Sequence, residues 1–389
     1  MNTTEKSIYL DYAAATPLSD KALMAMTPYF SEKFYNPGSP YLPAKFVRDD
    51  YEEKKSQLAH IIGAKSDDLI ITSGATESNN LALTAVSESG KILFSATEHD
   101  SVRVPAKFHG GREIKVKPDG ALDLDDLRKN LDDETELISV ALVNNELGTI
   151  QPIAEIAELV KSERLRRRLA GISRPIFLMS DASQALNLLE ISVGRLGVDL
   201  LTFNSAKMYG PKGIGALYHS RETRLHPLIL GGGQEQNFRS GTENVPALVG
   251  FSVAAGEARS HLTSSRKNFQ HLKRLFQKTL TDFSEITPLF LGNPKKQLAN
   301  FSPVSFPGLD AERLIYLLES AHVYVSTGAA CAASKGEKSH VLKACGFSDD
   351  IIQGSLRITF GKDNTEEDII LAAKKIATAV NSERTRLNV

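Results

Sequence analysis

Short runs of consecutive apolar residues alternate with longer amphipathic runs through most of the chain. Residues 68–72 (Asp-Leu-Ile-Ile-Thr), 91–95 (Lys-Ile-Leu-Phe-Ser), 137–143 (Leu-Ile-Ser-Val-Ala-Leu-Val) and 175–179 (Pro-Ile-Phe-Leu-Met) are strand-like. Strands without polar alternation are buried on both faces, so helices must cover a largely parallel sheet. The pattern predicts an α/β domain. Residues 246–283 read as a helix-rich bridge. Beyond it the apolar runs shorten, as at residues 299–306, and mix with helices, which predicts a smaller α+β domain. The last helix is expected to start at Thr365, where Thr365-Glu366-Glu367-Asp368 fits a capping box. Ile369, Ala372, Ala373, Ile376 and Val380 form its apolar face, a packing surface and not a site. No internal repeat or low-complexity tract interrupts this organisation.

Bulk properties narrow the function classes. The chain has 389 residues, 41% hydrophobic and 24% charged, with a formal net charge of -1. That length supports more than one core. The near-zero charge gives no electrostatic reason to bind nucleic acid or an anionic membrane. No apolar run approaches the ~20 residues that span a bilayer. The start, Met1-Asn2-Thr3-Thr4-Glu5-Lys6, lacks a signal-peptide apolar region, so a cytoplasmic location is expected. Cys331 and Cys345 are the 2 cysteines, too few for a disulfide framework or a four-cysteine zinc site. No metal site is expected, and either cysteine is open to use as a working thiol.

Chemistry concentrates at strand ends. Residues 200–218 run from an apolar strand into Asn204-Ser205-Ala206-Lys207, then through a glycine-rich turn to a second apolar strand. Residues 177–184 form another strand that ends at Asp181. A lysine and an aspartate at two strand ends are what pyridoxal phosphate (PLP) needs. The lysine forms a Schiff base, and the aspartate pairs with the pyridinium nitrogen so that the ring accepts electrons. Each alone has a plainer reading, a solvated lysine and a turn or cap aspartate. Their order, together with the stretches below, favours the cofactor.

Residues 71–80, Ile-Thr-Ser-Gly-Ala-Thr-Glu-Ser-Asn-Asn, follow a strand and open a helix. Helix N-termini favour anions, so the Ala75 and Thr76 amides and the Thr76 hydroxyl could hold a phosphate. The alternative is a capped helix with no ligand. His99 also follows a strand, and its flat ring could stack on a pyridine and shuttle protons. In an open parallel sheet the carboxyl ends of strands converge on the ligand crevice. His99, Asn145, Asp181 and Lys207 all follow such ends, and Asn145 or Gln184 could bond the ring's phenolate oxygen. Cys331 lies among small and polar residues, like a thiol on a loop, whereas Cys345 sits in an apolar run like a structural cysteine. Arg357, alone among apolar residues, wants a carboxylate, and a substrate α-carboxylate would serve.

Together these stretches resemble the cysteine desulfurase family of fold-type-I PLP enzymes nearly end to end. Residues 9–17 (Tyr-Leu-Asp-Tyr-Ala-Ala-Ala-Thr-Pro), 36–39 (Asn-Pro-Gly-Ser), 97–99 (Thr-Glu-His), 143–148, 231–235 (Gly-Gly-Gly-Gln-Glu), 239–242 (Arg-Ser-Gly-Thr) and 328–331 carry the likeness with those above. The resemblance implies a PLP-dependent transferase fold of type I with a mostly parallel seven-stranded sheet. It implies a large domain over residues 15–260 and a small one over 1–14 and 261–389. It implies a homodimer in which Thr242 reaches the neighbour's PLP phosphate. It further implies that L-cysteine is converted to L-alanine, with Lys207 as base and Cys331 taking the sulfur as a persulfide. Asn36 and Arg357 would hold the substrate carboxylate. The Cys331 loop matches the longer of the family's two loop forms, which is associated with a separate sulfur acceptor, such as an iron-sulfur scaffold or a tRNA-thiolation relay. Selenocysteine lyase, an aminotransferase of the same fold, and a protein of this fold with impaired cofactor binding are the alternatives.

Two departures stand out. The family's Ser/Thr-x-His-Lys is here Asn204-Ser205-Ala206-Lys207, so two phosphate contacts are altered; Asn204 or Ser205 would have to compensate. A histidine that the family carries after Asn-Pro-x-Ser is absent near Pro40-Tyr41.

Overall fold

The computed structural model of the chain describes residues 6–328 and 338–387. Cys331 lies outside them. After β1 (Ile8–Tyr9) come the seven strands of the main sheet. They are β2 (Leu69–Thr72), β3 (Lys91–Ser95), β4 (Arg112–Ile114), β5 (Thr135–Ser139), β6 (Phe177–Asp181), β7 (Leu200–Asn204) and β8 (Gly215–His219). Their order is β2-β8-β7-β6-β5-β3-β4. The pairings from β4 through β3, β5 and β6 to β7 are parallel, and β8 runs against both β7 and β2. The short glycine-containing turn after β7 permits only an antiparallel return.

The continuous apolar runs are explained by burial on both faces. Ile71, Leu93, Ile138, Leu178 and Leu201 belong to one hydrophobic cluster, and their neighbours Ile70, Ile92, Leu137, Met179 and Leu200 to the other. Side chains alternate across the sheet, so each face receives every second residue. The run at 137–143 was expected to be strand throughout. Instead β5 ends at Ser139, and the chain lifts into a loop that borders the site. The run at 175–179 becomes strand only from Phe177 and continues to Asp181.

The expected bridge is one helix, Val245–Phe283, of 39 residues. Asn244 caps it by accepting from Ala247 N at 3.2 Å. It packs against helices Asp20–Met26 and Leu42–Ile61 and against the last helix, Glu366–Leu387. Beyond it, β9 (Leu289–Phe290), β10 (Val304–Ser305) and β12 (Ser355–Leu356) form an antiparallel sheet, while β11 (Val323–Tyr324) pairs in parallel with β1. The longer strand expected within 299–306 is only two residues in the sheet. Pro303 has no N–H to donate, and Phe301 instead bridges Thr359. The last helix has the expected cap: Asp368 N donates to Thr365 Oγ1 and Thr365 N to Asp368 Oδ2, both at 3.2 Å. Among the described residues, no helix is long and apolar enough to cross a membrane.

Candidate functional site

Strands β3, β5, β6 and β7 end at one edge of the sheet, and a cavity of ≈ 290 Å³ opens there. Its walls include Gly74, Ala75, Thr76, His99, Asn145, Asp181, Gln184, Asn204 and Lys207. Parallel strands pointing the same way bring these distant residues together. A larger cavity of ≈ 400 Å³ lies against helix Val245–Phe283, but none of the residues selected from the sequence lines it.

One end of the smaller cavity is built for an anion. Helix Ala75–Leu83 starts at it, leaving its first N–H groups without helical partners. Gly74 precedes the helix with φ 154°, and β8 presses against it: a Cβ on Gly215 would stand 2.7 Å from the Gly74 carbonyl carbon. The Thr72 hydroxyl secures the turn by donating to Gly74 O at 3.1 Å. Asn204 lies on the wall with its Oδ1 buried and without a partner among the described residues. Ser205 does not line the cavity. Its hydroxyl is buried against Gly210, where a Cβ would stand 2.0 Å from it.

The other end carries the ring-directed groups. Asp181 is buried; Asn79 Nδ2 donates to its Oδ2 and Ser183 N to its Oδ1, both at 2.8 Å. Asn79 Nδ2 also donates to Ser101 Oγ at 2.8 Å, and that hydroxyl lies 2.9 Å from His99 Nδ1. Ser101 N donates to the same Nδ1 at 3.1 Å, so Nδ1 carries no proton. Burial pushes the His99 imidazole below its ordinary value, the Lys207 charge adds to this, and Asp181 opposes it. The ring is therefore neutral near pH 7, with its proton on Nε2. Gln184 Nε2 donates to Ala13 O at 2.9 Å, which fixes that amide at the wall.

Arg357 is buried beside this edge. It donates to Asp11 Oδ1 at 2.7 Å, to Asn145 O at 3.0 Å and to Gly328 O at 3.4 Å, and its Nε has no partner among the described residues. Asn36 is exposed, accepts from Gly38 N at 2.8 Å and does not line the cavity. Thr242 is exposed and likewise off the wall, though its neighbour Arg239 pairs at 3.0 Å with Glu77, which does line it. Asn79, Ser101 and Ser183 were given no role from the sequence, and their only signal was position within or just after the quoted stretches. Cys345 is buried in an apolar cluster, and burial pushes its thiol up to about 12. A thiol held in its neutral form is a poor nucleophile.

The class-V aminotransferase family matches residues 8–371. The chain is 38% identical over 374 residues to "Cysteine desulfurase IscS 1" of Archaeoglobus fulgidus, covering 93% of this chain and 94% of that protein. It is 38% identical over 392 residues to "Cysteine desulfurase IscS" of Dictyoglomus turgidum, covering 98% and 96%. The chain belongs to the class-V aminotransferase family, among the cysteine desulfurases. A solved "NifS-like protein" shares its fold with a TM-score of 0.88 and 30% identity, over 97% of this chain and 100% of that one. The cofactor of the family is PLP, and the cavity fits it. The start of helix Ala75–Leu83, with its backbone N–H groups at the wall beside the Asn204 side-chain amide, suits a phosphate. A carboxylate held by two donors suits a protonated ring nitrogen, and the Ser183 hydroxyl, without a partner among the described residues, adds a polar group to the same wall.

Proposed function

We propose that the protein converts L-cysteine to L-alanine and leaves the sulfur as a persulfide on Cys331, from which an acceptor protein takes it. The observation that carries this reading is the meeting of Lys207, Asp181 and His99 in one cavity at the sheet edge. Bound PLP would supply an electron sink for charge developing at the substrate Cα. Ala75, Thr76 and Asn204 would hold its phosphate, Asp181 its ring nitrogen, and Asn145 and Gln184 its phenolate side. Lys207 Nζ would attach the cofactor and later carry the Cα proton. Neutral His99 can stack on the ring and pass a proton through Nε2. Arg357 and Asn36 would receive the substrate carboxylate. For Arg357 this means using Nε or loosening the Asp11 pair. The chemistry balances as a sulfur transfer: the substrate C–S bond breaks, an S–S bond to Cys331 forms, and the carbon gains the proton that the thiol gives up.

The large domain is proposed as residues 15–260 and the small one as 1–14 with 261–389, with helix Val245–Phe283 running through the boundary. A homodimer accounts for the exposed Leu23, Met24, Phe30, Phe34, Tyr41, Leu42 and Phe46 on consecutive elements, an apolar display unusual for a monomer. In that dimer Thr242 would reach the partner's phosphate. A cytoplasmic location and a role in supplying sulfur for iron-sulfur clusters complete the reading. It is tested by incubating the PLP-loaded protein with L-cysteine and a reductant: alanine and sulfide should appear in equal amounts. Conversion of the cofactor to its amine form without sulfide would identify an aminotransferase instead.

A further inference from the structure

Glu146 follows Asn145 on the cavity-lining turn, is buried, and has no part in the mechanism above. Its backbone is fixed: Asn144 Oδ1 accepts from Glu146 N at 2.9 Å and Leu147 N at 2.8 Å, while Asn144 Nδ2 donates to Thr97 O at 3.0 Å. The side chain does not line the cavity. Ser339 Oγ donates to Glu146 Oε2 at 2.5 Å and accepts from Leu342 N at 3.0 Å, capping helix His340–Ala344. The same Oε2 lies 3.3 Å from where a Cβ on Gly328 would stand. Gly328 O accepts from Arg357, whose Nη1 also donates to the Asn145 carbonyl. Gly328 and Ser339 stand on either side of the segment that contains Cys331. One flank, Ser339, is therefore bonded to the buried carboxyl next to the cofactor turn, and the other, Gly328, lies against it. Burying a carboxyl is unfavourable unless its bonds offset the lost hydration, and burial pushes Glu146 up to about 7.

We propose that Glu146 is a positioning residue for sulfur transfer: it ties the Ser339 flank of the Cys331 segment to the Asn145 turn and packs beside the Gly328 flank, and so sets the reach of the thiol. The proposal rests on Cys331 being the sulfur carrier. Its test uses the PLP-loaded protein with Glu146→Ala, Glu146→Gln, Ser339→Ala and, in parallel, Cys331→Ser. Glu146→Ala should lower kcat with L-cysteine by roughly 10- to 100-fold, the scale set by ~1 Å misplacement of a reacting group. KM and the visible absorption of bound PLP should stay unchanged. Glu146→Gln keeps an acceptor for Ser339 and should recover most of the loss, while Ser339→Ala should resemble Glu146→Ala. Turnover of L-selenocysteine, whose selenium leaves without thiol attack, should survive in all of them. Wild-type kcat in either alanine variant would overturn the proposal. So would loss of selenocysteine turnover or PLP in step with cysteine turnover, which would make Glu146 a support of the cofactor site only. Retained cysteine turnover in Cys331→Ser would instead overturn the carrier assignment itself. Should Glu146→Ala fail to fold, Glu146→Gln and Ser339→Ala still decide, since the first must stay active and the second must not.

Discussion

Substituting Asn204 by alanine probes how this chain anchors phosphate without the family's histidine. Asn204 and Ser205 were both candidates to compensate, and only Asn204 lies on the cavity wall. Its side-chain amide carries two N–H donors on Nδ2 that a phosphate can accept from. One hydrogen bond to a charged group is worth roughly 1.5–3 kcal/mol. With tenfold in affinity for every ~1.4 kcal/mol, Asn204→Ala should weaken PLP binding by about 10- to 100-fold. The Ala75 and Thr76 amides at the helix start remain, so the lower part of that range is expected. Ser205→Ala, whose hydroxyl is buried against Gly210, should leave affinity unchanged. Ala206→His should tighten binding, because it adds a donor where the chain now has none. The assay is a titration of apoenzyme with PLP, followed by absorbance. Equal affinity in Asn204→Ala and the parent, or a loss confined to Ser205→Ala, would refute this account of the phosphate site.

Lys207→Ala should abolish borohydride-reducible attachment of PLP and reduce turnover by at least ~10²-fold, the usual scale for a lost acid–base group; full turnover would show the lysine to be misassigned. Cys345→Ser should cost little activity, since burial holds that thiol neutral, and a loss equal to that of Cys331→Ser would contradict it. Glu98 is fully buried, and burial pushes its carboxyl from 4.5 to about 8, while Ala141 N donates to it at 2.6 Å. The folded state therefore keeps a proton that the unfolded chain loses above 4.5, so this group's contribution to stability declines as pH rises from 4.5 to about 8. Glu98→Gln should shrink the drop in urea-unfolding stability between pH 5 and pH 8 by more than ~1 kcal/mol, and an unchanged drop would refute it.

The sequence made the strand-end residues legible because each sits directly after its own apolar run. His99, Asn145, Asp181 and Lys207 needed only the rule that parallel strands deliver their ends to one crevice, and the cavity holds all four. Contacts between elements were not legible. Asn79 reaches Asp181 across 102 positions, and nothing local to either residue announces the pair. Ser205 shows the limit at one-residue resolution. Adjacent residues leaving a strand face opposite ways, so Asn204 meets the cavity and Ser205 the packing around Gly210. The short strands beyond the long helix failed for another reason: Pro303 and the bridges of Phe301 and Thr359 divide one apolar run among several partners. The position of Arg357 was readable as buried and seeking a carboxylate, but its partner, Asp11, comes from the opposite end of the chain.

The most direct test of the central claim is the product balance of wild type and Cys331→Ser with L-cysteine, added PLP and reductant. The wild type should release alanine and sulfide in a one-to-one ratio, and before reductant is added Cys331 should carry one extra sulfur by mass spectrometry. Cys331→Ser should keep the absorption of bound PLP and yield neither product. Equal production by the two proteins, or alanine without sulfide from the wild type, would contradict the account.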